Sequence, residues 1–102
     1  MVSVQAISVH AGEEPQEVLL GAEEEAIELM DRFLLPGYGI AILSSPGAEQ
    51  KEENLTLDLG LKKIYGIAEL VGYDEDEGKF RIRDIPEEKK ESAIRLIRKW
   101  RA

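Results

Sequence analysis

The sequence predicts one α+β domain over residues 1–102. The expected layout is a mixed β-sheet of four to five strands with two helices packed on it: an N-terminal βαβ unit, then a β-hairpin and a C-terminal helix. Three observations predict it. Apolar residues at helical spacing over 18–35 lie between two short runs of strand-like composition. Residues 64–84, IYGIAELVGYDEDEGKFRIRD, read as two strands around an acidic turn. Residues 84–101 open with acids and Pro86 and close with bases, the polarity of a helix.

The run from Val2 to Val9 alternates, with Val2, Val4 and Ala6 on one face and Ser3, Gln5, Ile7 and Val9 on the other, as a strand does. His10, Ala11 and Gly12 end it. Glu13, Glu14 and Glu17 suit a helix N-terminus, with Pro15 in the first turn. Leu19, Ala22, Ala26, Met30, Phe33 and Leu34 then recur as one stripe, opposite Glu23, Glu24, Glu25, Glu28 and Asp31. Gly21 costs about 1 kcal/mol against Ala inside a helix and marks the place for a kink, and Pro36-Gly37 stops the element. The next run, YGIAIL from Tyr38 to Leu43, is almost wholly apolar and fits a strand buried on both faces. Strand, helix and strand at this spacing make a right-handed βαβ crossover. Ser44-Ser45-Pro46-Gly47 ends that strand. Ala48 to Asn54 reads as an exposed loop or helical turn, and the alternation of Leu55, Leu57, Leu59 and Leu61 as an edge strand.

In the hairpin the turn is placed at Glu75-Asp76-Glu77-Gly78, setting Asp74 against Lys79, Tyr73 against Phe80 and Val71 against Ile82. Gly78 takes the left-handed position. A slip by one residue would set Tyr73 and Val71 against arginines. Asp84 is placed to cap the last helix, with Pro86 in its first turn and Glu87 completing a capping box. The apolar stripe of that helix is Ala93, Ile94, Leu96, Ile97 and Trp100.

At 102 residues the chain is long enough to bury one core unaided, roughly 65% of its unfolded surface. It has no cysteine, which excludes disulfides and thiolate metal sites. The N-terminal run alternates and has no basic leader, and no apolar run nears the ~20 residues of a membrane span, so a soluble, cytoplasmic protein is expected. One Asn, three Gln and two Met beside many Glu, Lys and Arg resemble thermophile usage. The net charge of −8 is split unevenly, −9 over residues 1–54 and +1 over 55–102. That balance argues against nucleic acid as a partner, since phosphate neutralisation needs a basic surface. It favours a protein partner, or attraction between two halves of one chain or two subunits.

Four residues stand out as site candidates. In the βαβ layout His10 and the pair Ser44 and Ser45 leave their strands at the carboxyl end of the sheet, where open α/β folds bind ligands. A serine nucleophile with a histidine base is conceivable there, although no GxSxG elbow or third triad member is present. Glu69 falls on the face of Tyr65, Ile67, Val71 and Tyr73, where a carboxylate is costly unless it is paired or sits at a rim. Lys62, Lys63 and Arg83 are its candidate partners; the other reading is a shallow pocket with a raised pKa. No cofactor is expected: neither GxGxxG nor GxxxxGK[ST] occurs, and the glutamates after Gly12 occupy the field an anion would need. No metal is expected either, because Asp74 to Glu77 reads as a solvated turn. The bases around Trp100 read as complements of a helix dipole, and the Asn54-Leu55-Thr56 sequon has no role without secretion.

ISVHAG together with AELVGYDEDEGKFRIRDI resembles two short pieces of the C-terminal part of secretion-type ATPases. The chain has no phosphate-binding loop and no room for the rest of that domain, so no activity is carried over. The function expected from the sequence is that of a small acidic interaction or regulatory module, acting through protein–protein contact or self-association. The alternative is a small enzyme or ligand-binding protein using His10 with Ser44 and Ser45.

Overall fold

The computed structural model describes residues 1–47, 50–57 and 62–101. Eight strands and two helices follow in order: Val2–Val9 (β1), Gln16–Ala22 (β2), Glu24–Leu29 (α1), Asp31–Leu35 (β3), Ile40–Ser44 (β4), Glu53–Leu57 (β5), Lys62–Tyr65 (β6), Ala68–Asp76 (β7), Lys79–Arg83 (β8) and Lys90–Trp100 (α2). The α+β class holds, as a largely antiparallel sheet with two helices. Its layout differs from the one expected. The main sheet has six strands, in the order β2-β1-β7-β4-β3 with β8 added to β7, and β5 and β6 form a separate pair. Every strand pairing is antiparallel, so the mixed sheet and the βαβ unit are both corrected.

The error lies in residues 18–35. They form β2, the six-residue α1 and β3 instead of one long helix. The segment carries both periods. Val18, Leu20 and Ala22 alternate toward one apolar layer while Leu19 is 66% exposed. The ladder to β1 decides between them, running in register from Val2 with Ala22 to Ser8 with Gln16. A tight turn after β1, in which Glu13 N–H donates to the His10 carbonyl at 3.0 Å, sends the chain straight back. Gly21 therefore lies in a strand, and α1 contributes one buried side chain, Ile27.

Alternation in β1 matches expectation and builds two cores, one on each face of the sheet. Val4 and Ala6 join Ile27, Ala41, Leu43, Val71 and Ile82. Ile7 and Val9 join Ile40, Ile42 and Leu70 against α2 (Ala93 and Ile97) and the β5–β6 pair (Leu55, Leu57 and Ile64). Burial on both faces is why β4 reads as continuously apolar. Leu59 and Leu61 of the expected edge strand, and Ala48 and Glu49 of the expected loop, lie outside the described residues.

The hairpin is real but its register is shifted by two. Tyr73 faces Ile82, Asp74 faces Arg81 and Asp76 faces Lys79, leaving a two-residue turn of Glu77 and Gly78. Both turn residues have positive φ, 52° and 76°, the geometry whose twist matches that of paired strands. A shift of two keeps each side chain on its face, so Tyr73 and Phe80 still meet, diagonally, with ring centroids 5.6 Å apart. The Arg32 guanidinium covers the Phe80 ring at 4.2 Å.

Asp84 does not cap the last helix. Its Oδ1 accepts from Gln5 N–H at 2.8 Å, and Ile85 N–H donates to the Gln5 carbonyl at 2.9 Å. A 3₁₀ turn at Glu87–Lys89 leads into α2 instead. The crossing is possible because residue 72 is glycine: a Cβ there would lie 2.4 Å from the Asp84 carbonyl oxygen.

Gly72→Ala is expected to destabilise the fold by about 2–4 kcal/mol, because the obstacle is backbone and cannot rotate away. Urea unfolding would show a lower midpoint with the slope unchanged. Glu77→Asn is expected to stabilise by about 0.5–1 kcal/mol, since Asn tolerates the left-handed conformation that Glu resists; a higher melting temperature checks it.

Candidate functional site

Strands β1 and β4 both run antiparallel to β7 and pair with its first residues, Val9 and Ser44 each opposite Ala68. They therefore run the same way and deliver His10 and Ser45 to one end of the sheet, a common end reached without a crossover. One strand lies between them, which separates the Val9 and Ser44 backbones by roughly 9–10 Å. His10 borders an open recess of about 230 Å³ with Glu13, Lys51, Glu52 and Ile67. Ser44 and Ser45 border a smaller one, about 50 Å³, with Asp31, Lys62 and Lys63. The sheet end brings these three candidates together, but they open into different recesses.

Glu69 lies in the next row, between Ser8 on β1 and Leu43 on β4. It is half-buried on the face of Val71 and Tyr73, as the alternation of β7 requires. Its partner is none of the expected bases. Lys63 pairs with Glu53 at 3.3 Å and Arg83 with Asp74. The Ser8 hydroxyl instead donates to Glu69 Oε1 at 3.3 Å, while Oε2 is buried with no hydrogen-bond partner. Burial pushes the carboxyl pKa above the usual range, and the Ser8 hydrogen bond and the nearby His10 oppose that shift in part. Ser8 itself is only 6% exposed. The alternation of β1 holds the signal for it: continued by one step, it puts Ser8 on the same apolar face as Glu69.

Chemically, this arrangement holds a proton more readily than it activates a nucleophile. A reactive serine would give its proton to a histidine, whereas the Ser8 hydroxyl is directed at a carboxylate. Asn54 is structural: its Nδ2 donates to the carbonyls of Val9 and Gly66, both at 2.8 Å, and fastens the β5–β6 pair to the end of β1. Two of the bases in the last turns of α2 are engaged within the chain, Arg95 with Glu91 at 2.7 Å and Arg98 with Glu14 at 3.7 Å, and Trp100 packs on the core.

Three strands of the main sheet, β2, β3 and β8, have an edge with no paired strand among the described residues. The outer edge of β2 has no paired strand among the described residues, and its seven residues contain neither Pro nor Lys. A second opening lies between β8 and the start of β1, beside α1. No helix among the described residues is long and apolar enough to cross a membrane. No protein-family model matches the chain, and no curated protein or solved structure matches it significantly.

The raised pKa of Glu69 has a defined sign. Below the unfolded value of roughly 4.3 the carboxyl is protonated in both states and carries no penalty. As pH rises the unfolded chain releases the proton first, so stability is lost and the penalty is complete above the folded pKa. Glu69→Gln keeps the Ser8 hydrogen bond and removes the charge. The variant is expected to exceed the parent at pH 7 by less than about 1 kcal/mol, since the half-exposed group is screened by solvent. The gap should close near pH 3.5 in urea titrations, and a parent more stable than the variant at pH 7 would reverse the assignment.

Proposed function

We propose that the chain is a small acidic interaction module working by protein–protein contact, and that it self-associates through the outer edge of β2. The carrying observation is the unprotected character of that edge. Natural sheets blunt exposed edges with lysine, proline, bulges or covering segments. Here a seven-residue strand of sequence QEVLLGA ends the sheet with Leu19 at 66% exposure. Its one charged residue, Glu17, is paired with Lys90 at 2.6 Å.

Two copies pair without conflict about a two-fold axis through Leu19. Antiparallel alignment then sets Leu19 against Leu19, Val18 against Leu20, Glu17 against Gly21 and Gln16 against Ala22. No like charges face each other, and Val18 and Leu20 extend the apolar layer across the junction. A cytoplasmic setting agrees with the cysteine-free composition. The ligand-binding or enzymatic reading through His10, Ser44 and Ser45 has less support, because these residues border separate recesses.

Light scattering after size exclusion is expected to give a mass rising with concentration toward about 23 kDa, twice the 11.4 kDa of one chain. Leu19→Lys would place like charges on the axis and return the protein to monomer. As a surface change, it should alter stability by no more than about 0.5 kcal/mol. A parent that stays at 11.4 kDa at high concentration sinks the proposal.

A further inference from the structure

Beyond Gln5, where β1 is tied to Asp84 and Ile85, β1 and β8 part, and the gap between them is a groove of about 280 Å³. That volume lies just under the ~300 Å³ at which pockets for drug-sized ligands begin, so the groove suits a smaller molecule. Its floor is apolar: Val2, Ile27, Phe80 and Ile82 all border it and belong to one layer. Its two sides carry opposite charge. Glu24 and Glu28, one helical turn apart, belong to α1, which packs on that layer through Ile27. Lys79 and Arg81 alternate with Phe80 and Ile82 along β8, so they border the groove from the other face of the sheet. Asp74 and Asp76 stand opposite Arg81 and Lys79 in the ladder, but Asp74 pairs with Arg83. None of Glu24, Glu28, Lys79 and Arg81 is in an ion pair among the described residues. Acids and bases thus border one gap without closing it.

The edge of β8 adds directed polar groups. The two-residue turn makes Asp76 and Lys79 a hydrogen-bonded pair, and the alternation of the ladder then makes Asp74–Arg81 and Gly72–Arg83 bonded pairs too. The N–H and C=O of Phe80, and those of Ile82, therefore point away from β7 toward the groove. No backbone partner meets them there among the described residues. A residue that turns both groups to one edge sets a donor beside an acceptor. That pair complements an α-amino acid: the N–H donates to its carboxylate, and the C=O accepts from its ammonium.

We propose that this groove binds a free α-amino acid with a large apolar side chain. The carboxylate faces Lys79 and Arg81, the ammonium faces Glu24 and Glu28, and the side chain covers the floor of Val2, Ile27, Phe80 and Ile82. A ligand of single charge would answer one side of the groove and leave the other unpaired, whereas a zwitterion answers both. Hydrogen bonds to ionised groups are roughly twice as strong as neutral ones, which favours the free amino acid over a blocked one. The site is separate from the β2 edge and does not depend on self-association.

The test is an amide-resolved NMR titration of the full chain with L-leucine, N-acetyl-L-leucine, L-leucinamide and glycine. Saturable shifts centred on Lys79–Ile82 and Val2 are expected for leucine, with each of the other three binding at least fivefold more weakly. The double variant Glu24→Gln, Glu28→Gln, whose substitutions lie on exposed residues, should keep its dispersed spectrum and bind leucine no better than N-acetyl-leucine. Lys79→Gln, Arg81→Gln, also exposed, should likewise remove the advantage of leucine over leucinamide. N-acetyl-leucine or leucinamide binding the parent as tightly as leucine, or no movement at Lys79–Ile82 up to tens of millimolar leucine, overturns the proposal. Shifts confined to Gln16–Ala22 also overturn it while leaving the β2 edge as an interaction site.

Discussion

The contact between Gly72 and the Asp84 carbonyl is the constraint on which the sheet depends. It lets one edge of β7 serve two strands in succession: Ala68 to Leu70 pair with β1, and Gly72 to Asp76 pair with β8. The chain leaving β8 passes over the point of exchange, and a side chain at residue 72 would block it. The opposite edge of β7 stays with β4 throughout, from Ala68 to Gly72. Because β8 takes the upper part of that edge, β1 must diverge beyond Gln5. The fork, the groove within it and the placing of α1 beside that groove all follow from this exchange.

How much of this was legible depended on whether a segment carried one period or two. β1, β4, the β7–β8 hairpin and α2 each have one dominant pattern, and each is found near its expected place. The hairpin register was misjudged by two residues because a shift of two preserves every face. Apolar matching therefore could not separate a four-residue loop from the two-residue turn of Glu77 and Gly78; only the preference of paired strands for positive φ at both turn positions does so. Residues 18–35 defeated pattern reading for a different reason. Their glutamate and leucine content favours helix locally, while Val18, Leu20 and Ala22 also satisfy a strand, and the decision belongs to long-range pairing with β1.

The candidate site was visible as a misfit. Glu69 breaks the apolar face of β7, and Ser8 breaks that of β1 in the same way, so two polar residues on facing strands become neighbours. Which base would neutralise Glu69 was not legible, since the answer is none: Lys63 and Arg83 are held by Glu53 and Asp74. A hydroxyl satisfies one oxygen only, and the other remains buried and unpartnered. That cost is tolerable because the row lies at the end of the sheet, beside the exposed Ile67 and His10, rather than under α2.

The uneven charge of the chain finds two destinations. Part of the acidic half meets the basic half within one molecule: Glu17 joins Lys90 and Glu14 joins Arg98, drawing α2 against the turn between β1 and β2. On α1 the outcome differs. Glu24, Glu25 and Glu28 have no ion-pair partner among the described residues, and the neighbouring Glu23 reaches only the N-terminal amine at 3.6 Å. Lys79 and Arg81 of β8 likewise have no ion-pair partner among the described residues, so charges of both signs border the β1–β8 fork.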